Sequence, residues 1–309
     1  MIATITLNAA IDKTYYVSEF HLNKVNRTSD VHSEPGGKGI NVAKVLHSLE
    51  RDVITSGFVG GYNGNKIVSD LNKLGIKTDF ISTQEESRIC LNIIDHNLGS
   101  QTEILENGPT ISELEWLELC RKIHSLSKNC EFIVLSGSLP KGLSIDSYKE
   151  LIGIIHHNNS KAVLDTSGKS LEIGLEGAPY MVKPNKQELQ QMLKTKELNQ
   201  NEMIEAIKMI EKKGVTLTIV SLGEAGAIVS YKGQILKVTP PKIEAVNPVG
   251  SGDAFVAGIT AGLHLKKGIE ESLILGTAAA AANALEVRAG MININKLEQL
   301  KKMIKIQKL

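Results

Sequence analysis

The stretch with the most evident chemistry is Asn247-Pro-Val-Gly-Ser-Gly-Asp-Ala-Phe-Val-Ala-Gly258, in which Gly250, Ser251 and Gly252 lead straight into Asp253. A β-like segment, Gln234 to Ala245, precedes it, and a helix of small apolar residues is predicted from Ala254 to His264. The glycines therefore sit at a loop-to-helix junction. The first amides of a helix lack intrahelical partners and carry partial positive charge, so they attract anions. Glycine lets a phosphate come close to that backbone. Asp253 then has two readings. It is a carboxylate that stabilises the start of its helix. Or it is a base that takes a proton from a hydroxyl while the residues before it hold charge on a transferred phosphoryl group.

Other clusters fall at predicted strand ends. Gly36-Gly37-Lys38-Gly39-Ile40-Asn41 is no Walker loop, because no Gly-Lys-Ser/Thr closes it, and Val42 stands where the dinucleotide fingerprint needs glycine. Lys38 can still reach an anion there, and Asn41 a hydroxyl. Lys183-Pro-Asn185-Lys-Gln-Glu188 ends a strand and begins a helix. Asn185 and Glu188 form a capping-box pair; residues three apart also share a helix face and could hold a hydrated Mg²⁺ or a nucleotide phosphate. Ser221-Leu-Gly223-Glu-Ala-Gly226 lies where open α/β sheets place ligands. Asp12 follows the first strand, Ser138 follows Phe132–Leu135, and Arg88 stands on a polar strand. Such convergence favours one shared cleft.

Several classes are disfavoured. The net charge of +1 offers no nucleic-acid footprint. The basic run Lys301 to Lys305 reads as a solvated helix face. Cys90, Cys120 and Cys130 are too scattered for a disulfide framework or a zinc site. The histidines form no metal motif, and no G-x-S-x-G elbow suggests a serine hydrolase. No stretch is long and apolar enough to span a membrane, and the start MIATITLN lacks a signal-peptide charge, so a cytoplasmic protein is predicted.

The elements that must position these residues follow from periodicity. Among 309 residues, 42% hydrophobic and 22% charged, a sizeable core is expected. Strands are predicted at Ile2–Leu7, Val53–Val59, Thr78–Ile81, Phe132–Leu135, Ala162–Asp165, Tyr180–Lys183, Leu217–Ser221, Ala227–Tyr231 and Gln234–Val238. Helices are predicted at Asn41–Leu49, Asn65–Leu74, Glu113–Ser127, Asp146–Asn158, Lys186–Lys194, Asn201–Lys213, Glu270–Leu285 and Lys296–Ile306. Asn8 to Asp12 is read as a loop. The alternation implies a mainly parallel sheet covered by helices. Thr14–Phe20, Asn26–His32 and a hairpin, Arg88–Asp95 with Gln101–Leu105 around His96, are mixed in polarity and open to water or ligand on one face. The expectation is one α/β domain over residues 1–309, with a β appendage from about 12–34 and 86–107.

The glycine stretches at Gly36–Ala43 and Asn247–Gly258, with Lys183-Pro-Asn185-x-x-Glu188 and Ser221-Leu-Gly223 between them, resemble the ribokinase-like, or phosphofructokinase B, sugar kinases over essentially the whole length. Thr6-Leu-Asn8-x-x-x-Asp12, Gly37-Lys38-Gly39, Arg88 and Ser136-Gly-Ser138-Leu-Pro140 look like the phosphosugar branch that holds tagatose-6-phosphate and fructose-1-phosphate kinases. Within that branch, Cys90, Gln101 to Glu106 and Ser138 to Gly142 look more like the tagatose enzymes. Asn8-Ala-Ala departs from the usual Asn-Pro. The resemblance implies a three-layer α/β/α sandwich with a β-lid, and a homodimer through paired lids. It implies ATP along Lys183, Asn185, Ser221, Gly223, Gly226 and Asn283, with its γ-phosphoryl facing Gly250, Ser251 and Gly252. Mg²⁺ would sit near Glu188, with K⁺ as a further candidate ion. The sugar phosphate would meet Asp12, Gly37, Lys38, Asn41, Arg88 and Ser138, with Arg27 reaching from the lid. Asp253 would be the base. A nicotinamide-dependent dehydrogenase is disfavoured by the missing G-x-G-x-x-G, and a non-catalytic sugar-phosphate sensor by the retained Asp253.

Overall fold

The computed structural model describes residues 1–95 and 97–309; His96, expected in the hairpin turn, lies outside them. The chain begins β1 (Ile2–Thr6), β2 (Ala10–Val17), β3 (Asp30–Gly36), α1 (Lys38–Ser48), β4 (Val53–Gly60), α2 (Gly61–Lys73), β5 (Lys77–Thr78), β6 (Ile81–Thr83), β7 (Arg88–Asp95) and β8 (Ser100–Leu105). It continues α3 (Glu113–Ser127), β9 (Phe132–Ser136), α4 (Ser147–His157), β10 (Lys161–Asp165), α5 (Gly168–Gly174), β11 (Met181–Val182), α6 (Lys186–Leu193), α7 (Gln200–Glu211) and β12 (Leu217–Ser221). It ends β13 (Ala227–Tyr231), β14 (Gln234–Thr239), α8 (Ser251–His264), α9 (Ile269–Ala284), α10 (Ile294–Lys301) and β15 (Lys305–Lys308).

An eleven-stranded sheet forms the middle layer, in the order β15-β14-β13-β12-β11-β10-β9-β1-β4-β5, with β6 against β4. From β12 to β5 the neighbours run parallel, while β13, β14 and β15 add antiparallel edge strands. Parallel strands need cover on both faces, which is why Phe132–Ser136 is buried along its whole length. Residues of α1, α2, α8, α9 and α10 pack on one face. Residues of α3 to α7 pack on the other. The result is a three-layer α/β/α sandwich. A second sheet, β3-β2-β7-β8, stands apart from it. Among the described residues, no helix is long and apolar enough to cross a membrane.

Several expectations change: the strand read at Asn26–His32 runs over Asp30–Gly36, and the one read at Thr78–Ile81 splits into β5 and β6. The Asn8–Asp12 loop ends early: β2 starts at Ala10, so Asp12 is a strand residue opposite Glu34 and Cys90. The C-terminal helix stops at Lys301, and Lys305–Lys308 turns into a strand on β14. Its alternate polar residues suit a sheet edge, where lysines discourage further pairing; the basic run is therefore not one helix face. The short helix α5, between Gly168 and Gly174, carries too few periodic residues to stand out in the sequence.

Helices α8 and α9 are pressed together along glycines. A Cβ on Gly258 would lie 2.6 Å from the Gly276 Cα, and one on Gly262 would lie 2.7 Å from the Ser272 Cα. Backbone here touches backbone, so added volume has nowhere to go. Gly258→Ala is expected to lower unfolding stability by about 1–3 kcal/mol through overpacking, measured as a shifted urea midpoint. An unchanged midpoint would show that the two helices can separate freely.

Candidate active site

The parallel strands present their C-terminal ends along one edge. The chain leaves β1 for β4 on one side and later returns to β9 on the other, which makes the β1–β9 border the place where such sheets bind ligands. Gly250 precedes α8 with φ 80°, a left-handed conformation suited to glycine. The Gly252 and Asp253 amides hydrogen-bond to nothing among the described residues, whereas the Ser251 amide reaches the Pro248 carbonyl at 3.2 Å. Two free donors at a helix start make an anion cradle. Asp253, 6% exposed, stands at its rim. Asn41 Nδ2 donates to Asp253 Oδ2 at 2.9 Å. Burial, aided by the nearby Asp165 charge, pushes the Asp253 carboxyl up to about 7, against the pull of Lys38, Asn41 and Lys183.

Asp165, which the sequence analysis did not single out, lies beneath this rim at the end of β10. It is 1% exposed. Lys38 Nζ lies 3.3 Å and Lys183 Nζ 3.4 Å from its Oδ1. Burial alone would raise its pKa, but the two ammonium groups outweigh it and hold Asp165 below the usual carboxylate range. Asp165 in turn raises the pKa of Lys38, despite burial. Lys183 Nζ also lies 3.6 Å from where a Gly252 Cβ would be, so it borders the cradle. The one clue in the sequence was a carboxylate closing the otherwise apolar strand Ala162–Asp165.

The expected nucleotide side is assembled in part. Asn185 Oδ1 accepts from the Glu188 amide and Glu188 Oε2 from the Asn185 amide, both at 2.8 Å, so the capping box is real. It leaves the other Glu188 oxygen available. Asn185 bridges to Ser221 at the end of β12. Gly223 faces open space, whereas a Cβ on Gly226 would overlap the Val238 carbonyl, so Gly226 serves strand packing. Asn283 is displaced from the expected role. It is wholly buried. Its amide donates to the Val249 carbonyl at 2.8 Å and accepts from the Gly290 amide at 2.8 Å. It braces the cradle from behind and has no free face for a nucleotide.

On the other side stands the small sheet. Asp12 lies so close over Gly36 that a Cβ there would overlap its carboxylate. Burial lifts the Asp12 pKa to about 6, with Lys44 pulling it down. Gly37 starts α1 at φ 106°. Arg88 donates from Nε to the Asn8 carbonyl at 3.2 Å and from Nη1 to the Glu106 carbonyl at 3.0 Å. Those two bonds leave three of its five N–H groups free. Asn8 Nδ2 reaches the Asn107 carbonyl at 3.0 Å and Ser138 Oγ at 3.3 Å, so Asn8 joins the two parts. Arg27 lies in the exposed connection between β2 and β3 and joins none of these contacts.

A divalent cation fits this donor set. Asp165 Oδ2 is buried without a partner, which is costly unless something polar meets it. Glu188 offers a second oxygen, and Mg²⁺ keeps most of its own waters.

Asp253 also sets a stability prediction. Unfolded, it ionises near its ordinary 3.8; folded, near 7. Holding the charge in the folded state therefore destabilises the protein as pH rises through that window, and fully above it. Asp253→Asn is expected to melt at higher temperature than the parent at about pH 8, with the gap closing toward about pH 4. A variant that melts below the parent at alkaline pH would refute the raised ionisation.

Comparisons with known proteins identify the family. A family model described as pfkB family carbohydrate kinase matches residues 5–294. A tagatose-6-phosphate kinase from Staphylococcus epidermidis is 40% identical over 309 residues, spanning 99% of each chain. Phosphofructokinase-2 from Escherichia coli, solved with potassium, superposes with a TM-score of 0.92 at 24% identity over 98% of each chain. Ribokinase from Arabidopsis thaliana, solved with ribose and ATP, superposes with a TM-score of 0.79 at 18% identity, covering 97% of this chain and 98% of that one. Both solved structures share the fold. The chain belongs to the pfkB family of carbohydrate kinases, phosphotransferases that act on an alcohol group.

Proposed function

We propose that this kinase transfers the γ-phosphoryl group of ATP to a hydroxyl of a ketohexose phosphate, with tagatose 6-phosphate as the substrate and tagatose 1,6-bisphosphate as the product. The observation that carries the reading is Asp253, held by Asn41 and poised near neutrality beside two unpartnered amides. The 40% identity to a tagatose-6-phosphate kinase supports the choice of sugar.

Asp253 accepts the proton of the attacking hydroxyl as the oxygen bonds to the γ-phosphorus and the bond to the departing ADP oxygen breaks. A base with a pKa near the working pH serves best. The Gly252 and Asp253 amides, with Lys38 and Lys183, meet the negative charge on the moving phosphoryl group. ATP would lie past Asn185, Ser221 and Gly223. Mg²⁺ would be held by Glu188 and Asp165, largely through water, and when bound supplies positive charge to the phosphates. Asp12 and Ser138 would orient the sugar, and the free N–H groups of Arg88 would grip its phosphate as a fork. The small sheet then acts as a lid that keeps water from the transfer.

Paired lids fit the outer face of that sheet. Strand register puts Tyr15, Val31 and Ile93 in one row and Leu91 and Ile104 in the next, on the face opposite Asp12. Val31 is 42% and Ile104 53% exposed, so a second copy of this chain has apolar surface to cover. Light scattering should give a dimer for the parent and a monomer for Val31→Lys with Ile104→Lys; a dimer that survives both changes would move the interface elsewhere.

Turnover with ATP should favour tagatose 6-phosphate over fructose 1-phosphate and fructose 6-phosphate, with and without K⁺. A clear preference for fructose 1-phosphate would make the chain a 1-phosphofructokinase. Asp253→Asn should reduce kcat about 10²–10⁴-fold while ATP affinity stays near that of the parent. Equal turnover in that variant removes Asp253 from the chemistry.

A further inference from the structure

Helix α1 carries three polar side chains spaced three apart: Lys38, Asn41 and Lys44. Lys38 holds Asp165 and Asn41 holds Asp253. Lys44 has no part in the mechanism so far, yet its side chain is only 3% exposed. Lysine is almost never so buried unless paired. Its Nζ lies 3.4 Å from Glu34 Oε2 on β3. Glu34 stands directly opposite Asp12 in the β2–β3 ladder, and directly opposed residues share one face of a sheet. Two glycines make the arrangement possible. A Cβ on Gly290 would crowd Lys44 Cδ at 3.0 Å, and one on Gly36 would overlap the Asp12 carboxylate.

We propose that Lys44 is a positioning residue for the sugar phosphate: it ties Glu34 of the small sheet to helix α1 and, by its charge, keeps Asp12, directly opposite Glu34, in the form that accepts a hydrogen bond from a sugar hydroxyl. The ligand half of this inference rests on the phosphosugar reading above; the link between Lys44 and Asp12 exists in the protein alone.

The charges around Asp12 come from every neighbouring element. Lys44 on α1 and Arg88 on β7 favour its ionised form; Glu34 on β3 and Glu103 on β8 oppose it. Burial is the largest influence, and Lys44 is the main counterweight. Without Lys44, Asp12 would stay protonated to higher pH. A protonated carboxyl has a hydrogen to donate and one fewer oxygen free to accept. The groups that act most on Asp253 are Asp165, Lys38, Asn41 and Lys183, so the two carboxylates can be perturbed separately.

The test is a carbon-13 carboxyl NMR titration of Asp12 in the ligand-free chain, assigned with Asp12→Asn. It compares the parent with Lys44→Met, Lys44→Arg and Glu34→Gln. The Asp12 midpoint should rise by about one pH unit in Lys44→Met, stay near the parent in Lys44→Arg, and fall in Glu34→Gln. Calorimetry with tagatose 6-phosphate should show Lys44→Met weakened about threefold at about pH 6.5, recovering to nearly the parent's affinity at about pH 8.5. An unmoved midpoint, or an equal loss at both pH values, overturns the proposal. If Lys44→Met does not fold, Glu34→Gln decides alone: a midpoint that fails to fall overturns it. A parent that binds none of the three sugar phosphates, while the midpoint still moves as stated, sinks the phosphosugar reading and leaves the Lys44–Asp12 link intact.

Discussion

Ionised carboxylates are expensive to bury without a cation, by several kcal/mol each in real proteins. This kinase buries Asp165 and Asp253 near the strand ends of its central sheet and Asp12 on its small sheet, and answers them with the charges of Lys38, Lys183 and Lys44. The pairing is uneven, and the unevenness is useful. Asp165 has two ammonium groups on one oxygen and stays charged. Asp253 is buried with only an amide on it and feels the charge of Asp165, so its affinity for a proton rises. Neighbouring acids pushed in opposite directions are a recurrent way to divide labour in an active site. Here one is a fixed charge and the other can exchange a proton near neutrality.

Topology supplies these residues from successive elements. β1 leads to Asn8, β9 to Ser138, β10 ends at Asp165, β11 leads to Lys183 and Asn185, and β12 ends at Ser221. Parallel strands all deliver their ends to the same edge, so residues more than a hundred positions apart become neighbours. Helix α8 then brings Asp253 with its amides already aligned. The small sheet is the exception to this order. Its four strands are entered from the body at different points, and Arg88 and Asn8 bind two of those crossings together at the carbonyls of Asn8, Glu106 and Asn107.

Much of this was legible in the sequence, for local reasons. The Gly250–Asp253 cradle and the Asn185–Glu188 box are short-range patterns whose backbone consequences hold almost anywhere. The strands Arg88–Asp95 and Leu217–Ser221 and the helix Glu113–Ser127 were visible because periodicity decides them. Asp165 was not, since its meaning depends on Lys38, 127 positions away. Lys44 looked like any polar residue on an amphipathic helix; its burial comes from distant parts of the chain, Glu34 of the small sheet and Gly290 after α9. Asn283 was expected beside the nucleotide only because the family resemblance implied it; its side chain on α9 instead turns to the Val249 carbonyl and the Gly290 amide. The C-terminal strand was hidden because a few residues that touch β14 outweighed helical propensity, a tertiary effect no window of sequence contains.

The seam where Gly258 faces Gly276 leaves α8 no cushion of side chains through which to slide. At the end that matters, Asn283 of α9 staples the loop carrying Val249 and Gly250 to the very helix it would swing against. The Gly252 and Asp253 amides thus stand at a helix start whose preceding loop is braced by a partner helix.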